Sequence, residues 1–137
     1  MKPFKDWVLG IDYVLPLRHG TITDGFRMPS RIHHMGTDFC GKAGDEVLNM
    51  FPALVNSLYA SGDPGGWTVE VMNAQENTVA AYSHLENIKV QRGDAVSMGQ
   101  VIGVLANVGL PLPRPHIHLQ LRAWIDPEAT LRLPKIW

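Results

Sequence analysis

The stretch Pro115-His116-Ile117-His118-Leu119-Gln120-Leu121-Arg122 determines how we interpret the chain. In a β-strand, successive side chains point to opposite faces of the sheet. One face of this stretch then holds the isoleucine and both leucines, and the other face holds His116 and His118. Packing gives no reason to set two imidazoles side by side, so this face is a candidate site for a ligand or substrate. The alternative is the solvated face of an edge strand.

Composition limits the classes of partner. The chain has 137 residues, which fits one domain, and a net charge of −1 with no long basic run, which argues against binding to nucleic acid or an anionic membrane. No run of about 18 apolar residues is present, so no membrane span is expected. Residues 1–7 include an acid and a proline where a signal peptide needs an apolar core, so no signal peptide is expected. The single Cys40 excludes an internal disulfide.

Turn-forming residues dominate the rest of the chain. Ten prolines and thirteen glycines separate short β-branched runs, and no run of 10 to 12 residues has a helical period, so we predict an all-β domain. Residues 1–20 are predicted to form an N-terminal arm packed on a domain of residues 21–137. The predicted strands are Thr21–Phe26, Glu46–Met50, Leu54–Ala60, Trp67–Asn73, Thr78–Ser83, Gln100–Leu105 and His116–Trp124.

Two further clusters carry chemistry. They are His34-Met35-Gly36-Thr37-Asp38 and Tyr82-Ser83-His84-Leu85. Taken singly, each has a plain structural interpretation: His34 and Asp38 as a surface hydrogen bond, and His84 as the cap of a strand. Taken with the His-x-His strand, two histidines and an aspartate complete the protein side of a catalytic zinc site with an open fourth position. Two histidines then remain for acid–base chemistry.

The three motifs, in this order, resemble those of the lysostaphin-like zinc metallopeptidases. That family's motifs read His-x-Gly-x-Asp, Tyr-x-His-Leu and Pro-His-x-His, and the likeness covers roughly Thr21 to Leu131. It implies a compact antiparallel β-domain of two sheets. It further implies that one zinc ion per chain is bound by His34, Asp38 and His118, and that the catalytic pair is His84 and His116.

The resemblance also implies an activity. It points to a zinc-dependent endopeptidase that hydrolyses the peptide cross-links or bridges of bacterial peptidoglycan through a water molecule activated by the metal. Such an enzyme acts on the cell wall, in an extracellular, periplasmic or virion-associated setting, and a phage tail or a larger hydrolase is a candidate assembly partner. The alternative is a catalytically silent module with the same fold that binds peptidoglycan or a protein. A lipoyl-type carrier domain, suggested by residues 90–103, is disfavoured because that stretch has no lysine.

Other residues near the motifs are candidates for substrate binding. They are Tyr82, Arg27 and Arg114, with the arginines placed to meet a substrate carboxylate; the alternative for both arginines is a solvated loop position. Cys40 lies two residues beyond Asp38. It is expected to be a small buried side chain, and the alternative is a thiol that competes for zinc ligation.

Overall fold

β-Strands account for all regular secondary structure in the computed structural model, which describes residues 4–5, 12–24, 36–62, 65–74, 78–107 and 115–121. All strand pairs in these ranges are antiparallel, which confirms the predicted fold class. The same ranges contain no helix long and apolar enough to cross a membrane. The strands are β1 Phe4–Lys5, β2 Asp12–Tyr13, β3 Thr21–Asp24, β4 Thr37–Cys40, β5 Glu46–Leu48, β6 Ala53–Ala60, β7 Trp67–Asn73, β8 Thr78–Glu86, β9 Ala95–Val96, β10 Val101–Leu105 and β11 His116–Leu121.

The order of the strands brings the three motifs together. One sheet has the order β3-β4-β11-β8-β7-β6-β9, and β10 joins it by pairing with β5 and with the end of β8. The strands β1 and β2 form a separate two-stranded sheet. Because β11 lies between β4 and β8, it pairs with one segment about 80 residues earlier in the sequence and with another about 35 residues earlier, through two ladders of backbone hydrogen bonds.

The alternation predicted for β11 is present. Ile117 and Leu119 are fully buried in the core, and His116 and His118 lie on the opposite face. A shift of one residue in register would exchange the two faces, so the apolar face fixes the histidines on the side of the sheet away from the core. On β4, His116 lies opposite Cys40 and His118 lies opposite Asp38.

A single core supports this sheet from its other side. It combines side chains of the long strands with those of β5, β9 and β10, so the short strands cover the inner face of the sheet. The segment after β2 is also anchored there: Val14 N–H donates to Met50 O at 2.8 Å, and Leu48 N–H donates to Pro16 O at 2.8 Å. The largest fully buried side chains are Tyr82, Phe39, Leu17, Leu48, Met50, Leu85, Ile102, Leu105, Ile117 and Leu119.

Candidate metal and catalytic site

Asp38 and His118 form the centre of the site. They are cross-strand partners, and His118 Nδ1 lies 3.0 Å from Asp38 Oδ1. Two ligand atoms of a tetrahedral zinc ion, each about 2.0–2.2 Å from the metal, are about 3.3 Å apart. The separation of Nδ1 and Oδ1 therefore suits two ligands of one ion. The third predicted ligand, His34, lies outside the described residues, and within those residues no group of three His, Cys, Asp or Glu side chains is arranged to hold a metal.

Gly36 explains how the imidazole of His118 is oriented. A Cβ atom at this position would lie 2.6 Å from His118 Nε2 and 2.8 Å from its Cε1, and it would also overlap the carbonyl oxygen of Leu119. The backbone at Gly36 thus packs directly on the Nε2 side of the ring, and Nδ1 is left facing Asp38. This close packing is a reason for a glycine between the two motif residues that residue types alone do not reveal.

A β-bulge in β8 positions His84. Ser83 and His84 together lie opposite the single residue Thr68 of β7, because the register shifts at this point. His84 has a φ of 72°, in the left-handed region that residues other than glycine rarely adopt. A bulge of this kind adds one residue to one strand and redirects the side chains near it.

The bulge places His84 on the same face as the β11 histidines. Regular alternation would put His84 on the core side with Tyr82, two residues earlier, whereas the extra residue returns Leu85 to the core instead. The rings of His84 and His116 meet edge to face, with centroids 5.0 Å apart and planes at 61°. Asp38, His118, His116 and His84 therefore converge on one side of the sheet.

Hydrogen bonding and burial set the protonation of His84. Its Nδ1 lies 2.7 Å from the carbonyl oxygen of Gly65. A carbonyl can only accept, so Nδ1 carries the hydrogen, and Nε2 holds the lone pair of the neutral ring. Burial lowers the pKa of His84 below its usual value, and the Gly65 carbonyl opposes part of this shift. The neutral ring is thus favoured near pH 7, which suits a residue that exchanges protons.

Tyr82 lies on the opposite side of the sheet from this site. It is fully buried, its hydroxyl donates to Asn49 Oδ1 at 3.3 Å, and the hydroxyl oxygen accepts from Met50 N–H at 2.8 Å. Burial also raises its pKa. The prediction that Tyr82 contacts substrate does not agree with this placement, because alternation along β8 directs the ring into the core.

The other residues predicted near the site are two arginines and a cysteine. Arg27 and Arg114 lie outside the described residues. Cys40 is buried and lies opposite His116, and its thiol contacts the carbonyl oxygen of Pro115 at 3.4 Å. Gly65 accepts the hydrogen bond of His84 through its backbone carbonyl, which residue type does not reveal.

The fold and this site together define a peptidase of the lysostaphin-like class. Residues 32–129 match the model of Peptidase family M23, and the chain belongs to that family. The same three motifs that form the site lie within the matched range.

Individual proteins with a similar sequence or fold are consistent with membership in this family. The chain is 31% identical over 101 residues to the peptidoglycan DD-endopeptidase ShyA of Vibrio cholerae, a match that spans 68% of this chain and 23% of ShyA. Lysostaphin from Staphylococcus simulans has a similar fold, with a TM-score of 0.71 and 24% identity over 82% of this chain and 49% of that one. A zinc-containing peptidase from Vibrio cholerae gives a TM-score of 0.62 and 25% identity over 87% of this chain and 42% of that one. The chain thus spans less than half of each of these relatives.

Proposed function

We propose that the protein is a zinc-dependent endopeptidase that hydrolyses peptide cross-links or bridges of bacterial peptidoglycan. The observation that carries this proposal is the convergence of Asp38, His118, His84 and His116 on one face of the sheet. Membership in a peptidase family supports the hydrolysis of peptide bonds. The similarity to ShyA, named as a peptidoglycan DD-endopeptidase, supports the class of substrate.

The metal would be held by Asp38, His118 and His34, one ion per chain. A carboxylate and an imidazole are ligands that zinc prefers, and the 3.0 Å between Asp38 Oδ1 and His118 Nδ1 suits a shared ion. Zinc bound there would supply a Lewis acid that lowers the pKa of a water molecule to about 7 and polarises the scissile carbonyl group.

Proton transfer is assigned to His84 and His116. One ring takes a proton from the attacking water, and the other stabilises the oxyanion or gives a proton to the leaving amine, a contribution typically worth about 10²- to 10⁴-fold in rate. The Gly65 carbonyl holds the hydrogen on Nδ1 of His84, so Nε2 is the atom through which His84 exchanges protons. The lowered pKa of His84 favours its neutral form before the reaction.

The substrate would meet the site on the face of the sheet that carries the histidines. We assign Arg27 and Arg114 to the binding of a substrate carboxylate, because an arginine guanidinium matches a carboxylate with two parallel hydrogen bonds. The proposed substrate places the site of action at the cell wall, in an extracellular, periplasmic or virion-associated setting.

Two matched substitutions test the division of roles. His118→Ala removes a proposed ligand, so we expect the zinc content to fall well below that of the wild type. His116→Ala removes only a proton-transfer group, so we expect normal zinc content with release of peptidoglycan fragments reduced by about 100-fold or more. Full zinc content in His118→Ala, or a wild-type rate in His116→Ala, would show that the assigned roles are wrong.

The competing hypothesis is a catalytically silent module that binds peptidoglycan or a protein. It predicts that the zinc-loaded protein sediments with peptidoglycan and releases no fragments from peptidoglycans of several cross-link types. The endopeptidase predicts soluble fragments whose new amino termini identify the bond that is cleaved.

A further inference from the structure

Three hydroxyl groups form a chain beside His84. The backbone N–H of His84 donates to Ser61 Oγ at 3.1 Å, Ser61 Oγ lies 2.8 Å from Thr68 Oγ1, and Thr68 Oγ1 donates to Ser83 Oγ at 3.0 Å. Because the single hydroxyl hydrogen of Thr68 points to Ser83, Ser61 must donate to Thr68. The hydrogen bonds therefore run in one direction, from His84 through Ser61 and Thr68 to Ser83.

Thr68 is the central member of this chain. Only 1% of its surface is exposed, whereas Ser61 and Ser83 are half-buried. A buried hydroxyl needs partners, and hydrogen bonds in series strengthen one another. The far end of the chain, Ser83, is the cross-strand partner of His118. The hydroxyl chain thus links the backbone of one proposed catalytic residue to the strand position beside a proposed metal ligand.

The bulge at His84 needs such support. A φ of 72° is costly for a residue with a side chain, and it persists only where the surrounding structure determines it. Thr68 is the one residue of β7 that lies opposite the bulge, so its hydroxyl is at the point where the pairing is irregular.

The turn between β6 and β7 also contacts His84. Ser61 N–H donates to Gly66 O at 2.9 Å, and a Cβ atom on Gly66 would lie 3.0 Å from the Cα atom of His84. The carbonyl of Gly65 accepts from the ring. Ser61 belongs to this turn and also to the hydroxyl chain, so the chain connects the backbone of His84 with the turn that orients its imidazole.

We propose that Thr68 is a positioning residue for His84: through Ser61 its hydroxyl stabilises the bulge and keeps the imidazole hydrogen-bonded to Gly65, with Nε2 directed into the site. In this role Thr68 acts through other residues, because its hydroxyl is hydrogen-bonded to Ser61 and Ser83. The catalytic consequence of this inference rests on the proposed endopeptidase function, whereas the structural consequence does not.

Thr68→Val is the main test, because valine keeps the branched shape and removes the hydroxyl. Thr68→Ser is the matched control that keeps the hydroxyl. For Thr68→Val we expect wild-type zinc content and KM, with kcat reduced by about 10- to 100-fold, since a small misplacement of a reacting group has effects of this size. Thr68→Ser should keep most of the wild-type kcat. Loss of activity in both variants alike would overturn the role of the hydroxyl.

A second readout does not depend on activity. Long-range ¹H–¹⁵N spectra of the zinc-loaded protein should show His84 of the wild type and of Thr68→Ser as the tautomer with hydrogen on Nδ1. Thr68→Val should show a mixture of tautomers. If Thr68→Val does not fold, Ser61→Ala, which removes the acceptor of the His84 N–H in a half-buried turn, should show the same mixture.

The two readouts separate the two proposals. A tautomer mixture in Thr68→Val, in a protein whose wild type releases no peptidoglycan fragments, would support the positioning role and contradict the endopeptidase. An unchanged tautomer in Thr68→Val and in Ser61→Ala would overturn the positioning role even where the wild type is active.

Discussion

Gly36→Ala is a direct test of the packing that orients His118. The added methyl group would lie 2.6 Å from Nε2 of His118, and it would overlap the backbone carbonyl of Leu119. The carbonyl belongs to the ladder between β4 and β11, where Leu119 is the partner of Thr37. The strain therefore has to be relieved by movement of the imidazole, of the ladder, or of both.

The size of the effect follows from these distances. An ordinary contact begins at 3.4 Å, so the imidazole must retreat by about 0.8 Å. Metal–ligand distances are defined to within about 0.2 Å, and loss of the groups that orient a ligand typically costs about 10- to 100-fold in metal affinity. We expect zinc affinity to fall at least that far. Overpacking against the backbone should also lower the free energy of unfolding by about 1–3 kcal/mol.

The assay is competition with a chromogenic chelator for zinc affinity, together with urea unfolding of the metal-free protein. Gly62→Ala is the matched control, because no atom of the described part of the chain lies within 4 Å of the added methyl group. We expect Gly62→Ala to match the wild type in zinc affinity and to lose no stability. Wild-type zinc affinity and an unchanged free energy of unfolding in Gly36→Ala would show that Gly36 does not set the orientation of His118.

Three further substitutions test the core and the protonation of the site. Thr37 is fully buried and its hydroxyl has no hydrogen-bond partner among the described residues, so Thr37→Val should raise the free energy of unfolding by about 1 kcal/mol in urea melts. Tyr82→Phe should lower it by about 1–3 kcal/mol with zinc content unchanged, because Asn49 and the Met50 N–H lose their buried partner. The pKa of His84 is lower in the folded protein than in the unfolded chain. The neutral ring therefore contributes its full stabilisation above about pH 6.5, and this contribution is lost as the pH falls through the pKa of the folded state. Asparagine accepts the left-handed backbone conformation of residue 84 and does not titrate. The free energy of unfolding of His84→Asn relative to the wild type should therefore rise over that acidic range. A difference that stays constant with pH would contradict the lowered pKa of His84.

Local patterns in the sequence predict much of this fold. The alternation in β11 correctly gives the buried face of Ile117 and Leu119, and β7 has its predicted bounds of Trp67–Asn73. These strands lie over a core, so their apolar period is strong. The two-residue strand β9 is not predicted, because so short a segment has no period to detect.

The bulge in β8 marks the limit of such patterns. The predicted end of this strand at Ser83 is wrong, since β8 continues to Glu86. The sequence places His84 near the other motifs by resemblance, but nothing in local residue types indicates that it adopts a φ of 72° and changes faces. The hydrogen bonds at this bulge, from His84 N–H to Ser61 Oγ and from Thr68 Oγ1 to Ser83 Oγ, join residues that are distant in sequence.

The geometry of the candidate site depends on tertiary structure for a related reason. Asp38 and His118 are separated by 80 residues, and only the pairing of β4 with β11 sets their side chains 3.0 Å apart. Motif spacing identifies these residues, whereas their distance depends on tertiary structure. Tyr82 shows the opposite error, because its place in a motif suggested contact with substrate although alternation directs it into the core.

The most direct test of the account is a single experiment on purified protein: zinc content and release of muropeptides from peptidoglycan, measured before chelation, after chelation and after zinc is restored. The account predicts about one zinc ion per chain, with fragment release that disappears on chelation and returns with zinc. A protein that binds no zinc, or that releases fragments equally well after complete removal of the metal, would contradict it.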